Sequence, residues 1–148
     1  MRDAGFTRQE RDIILWLRFL GACFLILGVL FTAKPNYLLQ YMDNIGFVFF
    51  NFRSAPLENP RYEIWWILSL GLMACLAYAS LQAQFDWLRN QHLVPIIIIA
   101  KAVSTLGFLS LTLFHPTHFF YIVGAVVDGV ICLTTTYAHI KATKSRPF

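Results

Sequence analysis

The chain has 148 residues, of which 57% are hydrophobic and 14% charged, whereas soluble domains of this size carry about 45–50% apolar and about 25% charged residues. The excess lies in four blocks, each long enough for the roughly 20 residues of helix that cross about 30 Å of hydrocarbon, which leaves no room for a separate soluble domain. The net charge of +4 comes from Lys and Arg at the ends of those blocks. It lacks the basic stripe with interleaved aromatics that nucleic acid needs, so membrane orientation explains it and nucleic acid is not expected as a partner.

The first predicted helix covers residues 13–33. Charged residues between Met1 and Asp12 precede it, as in a signal peptide. The apolar run of about 20 residues exceeds the roughly 7–15 of a signal h-region, and Phe31-Thr32-Ala33 is a poor cleavage site. A retained helix is therefore expected. Lys34-Pro35 closes it, because Lys snorkels to the interface and Pro cannot continue the hydrogen-bond ladder. Residues 35–61 form the only sizeable loop. Tyr37, Leu38, Leu39, Tyr41 and Met42 precede Asp43-Asn44, and Ile45 to Phe52 is almost wholly apolar and aromatic. The segment is too short to cross twice, so it is expected in the outer interface as a short amphipathic helix or a folded-back loop. It serves there as a cap over the bundle, a docking surface or a lid.

The second helix is predicted over residues 62–83, entered through Asn59-Pro60, with Trp65 and Trp66 at the interface. The third covers 93–114, with Pro95 in its first turn, where a missing N–H costs little. The fourth covers 117–140. The short His115-Pro116 connection makes the last two helices antiparallel neighbours. The expected fold is a single-domain, all-α integral membrane four-helix bundle. With the N-terminus inside, Arg2, Arg8, Arg11, Arg89, Lys141, Lys144 and Arg146 lie on the inner side, against Lys34, Arg53 and Arg61 outside. That bias places both termini in the cytoplasm.

Charges within a span are costly unless paired or facing a polar cavity. Arg18, Lys101 and Asp128 are the three such charges. Helical rise puts Lys101 about 21 Å and Asp128 about 16 Å below the turn that joins the last two helices. The Lys stem spans the difference, so the two are expected to meet. Arg18, about 8 Å from the start of its helix, either joins them or snorkels to the headgroups. Lys101 shares a stripe with Ser104, Thr105 and Phe108, and Asp128 with Tyr121, Gly124, Cys132 and Thr135. Such a group is either a buried ion pair that fixes helix packing, or a proton relay or headgroup pocket.

Small residues mark close-packing ridges: Gly71, Cys75 and Ala79 on the second helix, Ala100 and Ser104 on the third, Ala125 and Gly129 on the fourth, and Gly21 and Gly28 on the first. Cys23, Cys75 and Cys132 stand singly in separate spans, as small apolar packing residues. His92 and His139 share a shallow inner depth, and His115 and His118 an outer turn. All four read as interface polar residues, and neither haem nor another metal is expected. Hydrolase, P-loop, dinucleotide and zinc-protease motifs are missing, and no cofactor is expected.

The first helix reads Leu17-Arg18-Phe19-Leu20-Gly21, then Leu27-Gly28, closed by Lys34-Pro35. With four spans and the longest loop after the first, this resembles the DoxX-like group of small four-helix bacterial membrane proteins. The likeness covers the layout of the chain and, in residues, the Arg-x-x-Gly start and the Lys-Pro close. It implies a bacterial plasma-membrane protein with an accessory role near quinone or sulfur redox chemistry, and it transfers no catalytic residue. The sequence thus points to a small non-catalytic subunit that contacts the lipid bilayer and other membrane subunits. The alternative is a small carrier or lipid- or quinone-binding protein built on Lys101 and Asp128.

Overall fold

The computed structural model describes residues 6–54, 64–114 and 118–144, and among these all regular structure is helical. The helices are α1 (Arg8–Ala33), α2 (Pro35–Phe50), α3 (Ile64–Phe85), the single-turn α4 (Trp87–Asn90), α5 (Val94–Phe114) and α6 (Phe119–Lys144). A 3-10 turn, Gln91–Leu93, joins α4 to α5. Four stretches, Arg8–Phe31, Ile67–Phe85, Trp87–Phe114 and Phe119–Lys144, are long and apolar enough to cross a membrane. The protein is an all-α, integral membrane four-helix bundle. The expected Asn59-Pro60 entry, the His115-Pro116 turn and the side chains of Trp65 and Trp66 lie outside the described residues.

Helix α1 starts five residues earlier than its apolar block, 8 against 13. A capping box explains the extension. Thr7 Oγ1 accepts the Glu10 N–H at 3.3 Å, and Glu10 Oε2 accepts the Thr7 N–H at 2.8 Å. Two orphan amides are thereby satisfied, so the polar first turn is helical although it is not apolar. At the other end the Lys34 N–H still reaches Leu30 O at 3.0 Å. Lys34 then leaves helical conformation, and Pro35 occupies the first turn of α2, where its missing N–H is no loss. The Lys-Pro pair therefore ends one helix and begins the next.

The predicted interfacial loop is thus a helix over most of its described length. Its 16 residues span about 24 Å, short of the hydrocarbon thickness. Asn51 ends it in the left-handed conformation at φ 51°, which Asn tolerates better than most residues. The Asn51 and Phe52 N–H groups close onto Phe47 O and Gly46 O, each at 3.1 Å. Helix α2 rests on the start of α6. Gly46 is required at that contact, because a β-carbon there would run into the Phe119 side chain.

The spans pack as two antiparallel pairs, α1 with α3 and α5 with α6, joined mainly along α1–α6 and α3–α5. Gly21 faces Ser80 and Leu81, and Gly28 faces Met73 and Leu70, so both glycines bring α1 close to α3. On α6, Ala125 is buried and Gly129 faces Thr105 of α5. The Gly71–Cys75–Ala79 ridge packs differently from expectation. Ala79 is buried, but Cys75 is exposed and no described residue lies within 4 Å of a β-carbon on Gly71. Positions four apart drift by about 40° per step around a helix. The face of α3 toward α1 instead carries Leu70, Met73, Ser80 and Leu81, which meet Gly28 and Gly21.

The core is concentrated at one end. Ile13, Leu17, Leu20 and Phe24 of α1 meet Leu76, Ala77 and Ala83 of α3, Trp87, Val94 and Ile97, and Ala142 of α6. Trp87 is held in a tight turn, where Asp86 Oδ1 accepts the Arg89 N–H at 3.3 Å. Toward the opposite end α3 and α5 open. Residues 67–72 of α3 are all exposed, as are Leu109, Leu111, Leu113 and Phe114 of α5.

Candidate functional site

The α5 face that turns inward carries Val94, Ile97 and Lys101, spaced so that all three point into the bundle. On α6, Asp128 shares the buried face with Ala125 and Thr135. The antiparallel packing of the two helices sets Lys101 Nζ 2.7 Å from Asp128 Oδ1. Lys101 is 5% exposed and Asp128 9%. The second carboxylate oxygen accepts the Ser104 hydroxyl. Thr105 Oγ1 donates to Lys101 O at 2.6 Å, and the Lys101 ammonium lies 5.0 Å from the centre of the Phe24 ring on α1. The pair thus joins three helices, two by charge and the third through a cation over an aromatic face.

Magnitudes show why so many partners gather there. Leaving one charge of a buried pair uncompensated costs about 3–5 kcal/mol. A neutral hydrogen bond between membrane helices averages about 0.6 kcal/mol. Apolar contacts between spans gain little from desolvation, because lipid tails are as apolar as the helices. The ion pair therefore dominates the specificity of the α5–α6 seam.

Arg18 does not join the pair, contrary to one of its expected roles. It is exposed, and its Nε donates to Gln84 Oε1 on α3 at 3.1 Å. The reason is angular: Arg18 lies about 120° around the α1 axis from Phe24, the residue that reaches Lys101. Gln84, which sequence reasoning missed, is buried and ties this arginine to the well-packed end. A second missed link joins α1 to α6, where Trp16 Nε1 donates to Thr135 Oγ1 at 2.9 Å.

A third missed cluster lies at the opposite end. Asp43 of α2 is buried; its Oδ2 is 2.9 Å from His118 Nδ1, and its Oδ1 accepts the Phe120 N–H at 3.2 Å. Phe119 stacks on Phe50, with ring centroids 5.2 Å apart, and meets Phe52 in a tilted contact at 5.8 Å. The sequence did carry a signal, the one acidic residue between Asp12 and Glu58. Of the remaining histidines, His92 Nδ1 lies 3.0 Å from the local carbonyl of Arg89, and His139 packs edge-on to Trp87. His115 lies outside the described residues. Cys132 Sγ donates to Ile98 O at 3.6 Å across the α5–α6 seam. Among the described residues no three His, Cys, Asp or Glu side chains converge on a metal-binding point.

Beside the ion pair, Ser104, Gly107, Phe108, Ser110 and Leu111 line a shallow groove of about 440 Å³ on α5. Ser104 is shared between that groove and Asp128, so the buried charge is one side chain away from the outer surface of the bundle. No family model, curated protein or solved structure matches the chain.

Proposed function

We propose that this protein is a small non-catalytic subunit that seats against other membrane proteins in a larger complex. The observation that carries this reading is Gly71, which sits in mid-helix on α3 with no described residue within 4 Å of where its β-carbon would be. Glycine in a helix interior costs about 1 kcal/mol relative to alanine. Contact with fluid lipid does not repay that cost, whereas the backbone of another helix does. Exposed Cys75 extends the same small-residue surface. The Lys101–Asp128 pair suits a packing role: both carboxylate oxygens are engaged. The layout-level likeness to DoxX-like proteins supports the same reading. It adds a redox-linked complex and the bacterial plasma membrane as parts of the proposal, and the bias of Lys and Arg in the flanks adds cytoplasmic termini.

A second reading rests on the α5 groove beside Ser104. A small carrier, or a lipid- or quinone-binding protein, would place a polar head there and reach Asp128 through the serine hydroxyl. Purification in mild detergent, with mass spectrometry of co-eluting proteins and lipids, separates the two. Stoichiometric partner proteins support the subunit reading. A lone protein carrying lipid or quinone overturns it in favour of the carrier.

A further inference from the structure

The closed end of the bundle has a second groove, between the first turns of α1 and the last turns of α6. It has a volume of about 340 Å³ and is lined by Arg8, Gln9, Asp12, Tyr137, Ala138 and Lys141. Each helix contributes residues spaced i, i+1, i+4, so a single face of each is presented. Two cations oppose one carboxylate. Among the described residues neither Arg8 nor Lys141 has an ion-pair partner. The Lys141 ammonium is 4.7 Å from the centre of the Tyr137 ring. Arg8 stands in the first turn of α1, where the helix dipole disfavours a cation, so a bound anion relieves both groups at once.

The seam continues from this groove toward the hydrocarbon. One turn above Asp12, Trp16 links α1 to α6 through its bond to Thr135. Beyond it Phe19 is 58% exposed and stacked on Trp16, and Leu133 is 73% exposed. A basic pocket at the helix ends is therefore followed, on the same faces of α1 and α6, by exposed aromatic and apolar side chains. Lysine and arginine together at a membrane surface recognise phosphate, and those side chains provide for an acyl chain. We propose that the α1–α6 groove binds the phosphate headgroup of an anionic phospholipid, with Arg8 and Lys141 as its cationic contacts.

The test uses the full-length protein in phosphatidylcholine nanodiscs, titrated with phosphatidylglycerol, with bound lipid read by native mass spectrometry. Arg8→Gln with Lys141→Gln is expected to weaken retention about fivefold per charge, on the order of 25-fold together. Arg11→Gln with Lys144→Gln removes the same charge from exposed positions outside the groove and is expected to keep the affinity. Asp12→Asn removes a repulsive carboxylate and is expected to tighten binding about fivefold. This gain cannot come from misfolding, so it decides the matter if the double variant does not fold. Equal losses in the two double variants, or no gain from Asp12→Asn, overturn the proposal in favour of diffuse surface charge. In a parallel arm inorganic phosphate is added. Phosphate binding without lipid binding overturns the lipid assignment.

Discussion

Asp43 and His118 are hydrogen-bonded at 2.9 Å across 75 positions of sequence, and the same carboxylate accepts the Phe120 amide in the first turn of α6. One side chain therefore fastens the interfacial helix α2 and caps a transmembrane helix. Losing a helix cap costs about 1 kcal/mol, and losing a hydrogen bond to a charged group about 1.5–3 kcal/mol. Asp43→Ala is thus expected to release α2 without unfolding the bundle. Hydrogen exchange of the amides in residues 37–50 should accelerate roughly tenfold or more, while those of residues 97–104 stay protected. Unchanged exchange in α2 would show that the aromatic contacts of Phe119 hold it alone.

The Lys101–Asp128 pair is expected to behave asymmetrically under mutation. Lys101→Met or Asp128→Leu alone leaves a buried charge and should cost about 3–5 kcal/mol. The two together replace the pair by apolar side chains and should cost far less, because such replacements are often neutral. Reversal, Lys101→Asp with Asp128→Lys, should recover much of the loss. Unfolding of each variant in mixed detergent measures this. Additive single and double losses would mean that the two charges do not stabilise one another.

The Trp16–Thr135 link should be severalfold weaker. Interhelical hydrogen bonds in membranes average about 0.6 kcal/mol and reach about 1.7 kcal/mol. Thr135→Val keeps the shape and removes the acceptor, so a loss inside that range is expected in the same unfolding assay. A loss as large as that of the ion pair would mean that the buried indole N–H finds no other partner.

The four spans were legible because hydrophobic length is a near-sufficient signal in a membrane, where every backbone amide must be paired within its own helix. The meeting of Lys101 with Asp128 followed from helical rise and antiparallel neighbours, both readable one residue at a time. What failed was angular. Arg18 has a suitable depth but points away from the pair, toward Gln84. Gly71 and Ala79 share a spacing but not a face. Depth depends on counting along one chain, whereas facing depends on which helix becomes the neighbour. Asp43 was hidden for a related reason: its partners come from the start of α6, and nothing local to residues 35–50 names them. The early start of α1 was readable in Thr7-x-x-Glu10, a local signal that the apolar block overshadowed.

The last prediction distinguishes packing within the chain from packing against a partner. Gly46→Ala places a methyl group against Phe119 and should destabilise the α2–α6 contact. Gly71→Ala meets no described residue within 4 Å, so within this chain it should stabilise α3 by up to about 1 kcal/mol through helix propensity alone. If another subunit seats on that face, the added methyl group separates the two backbones, and assembly should weaken although the isolated protein is more stable. Thermal unfolding of purified Gly71→Ala, compared with its recovery in the membrane complex, reads both effects. Gained stability with lost association is the signature of a docking face. Gained stability with association unchanged would show that lipid covers Gly71, and would move the partner-binding surface elsewhere on the bundle.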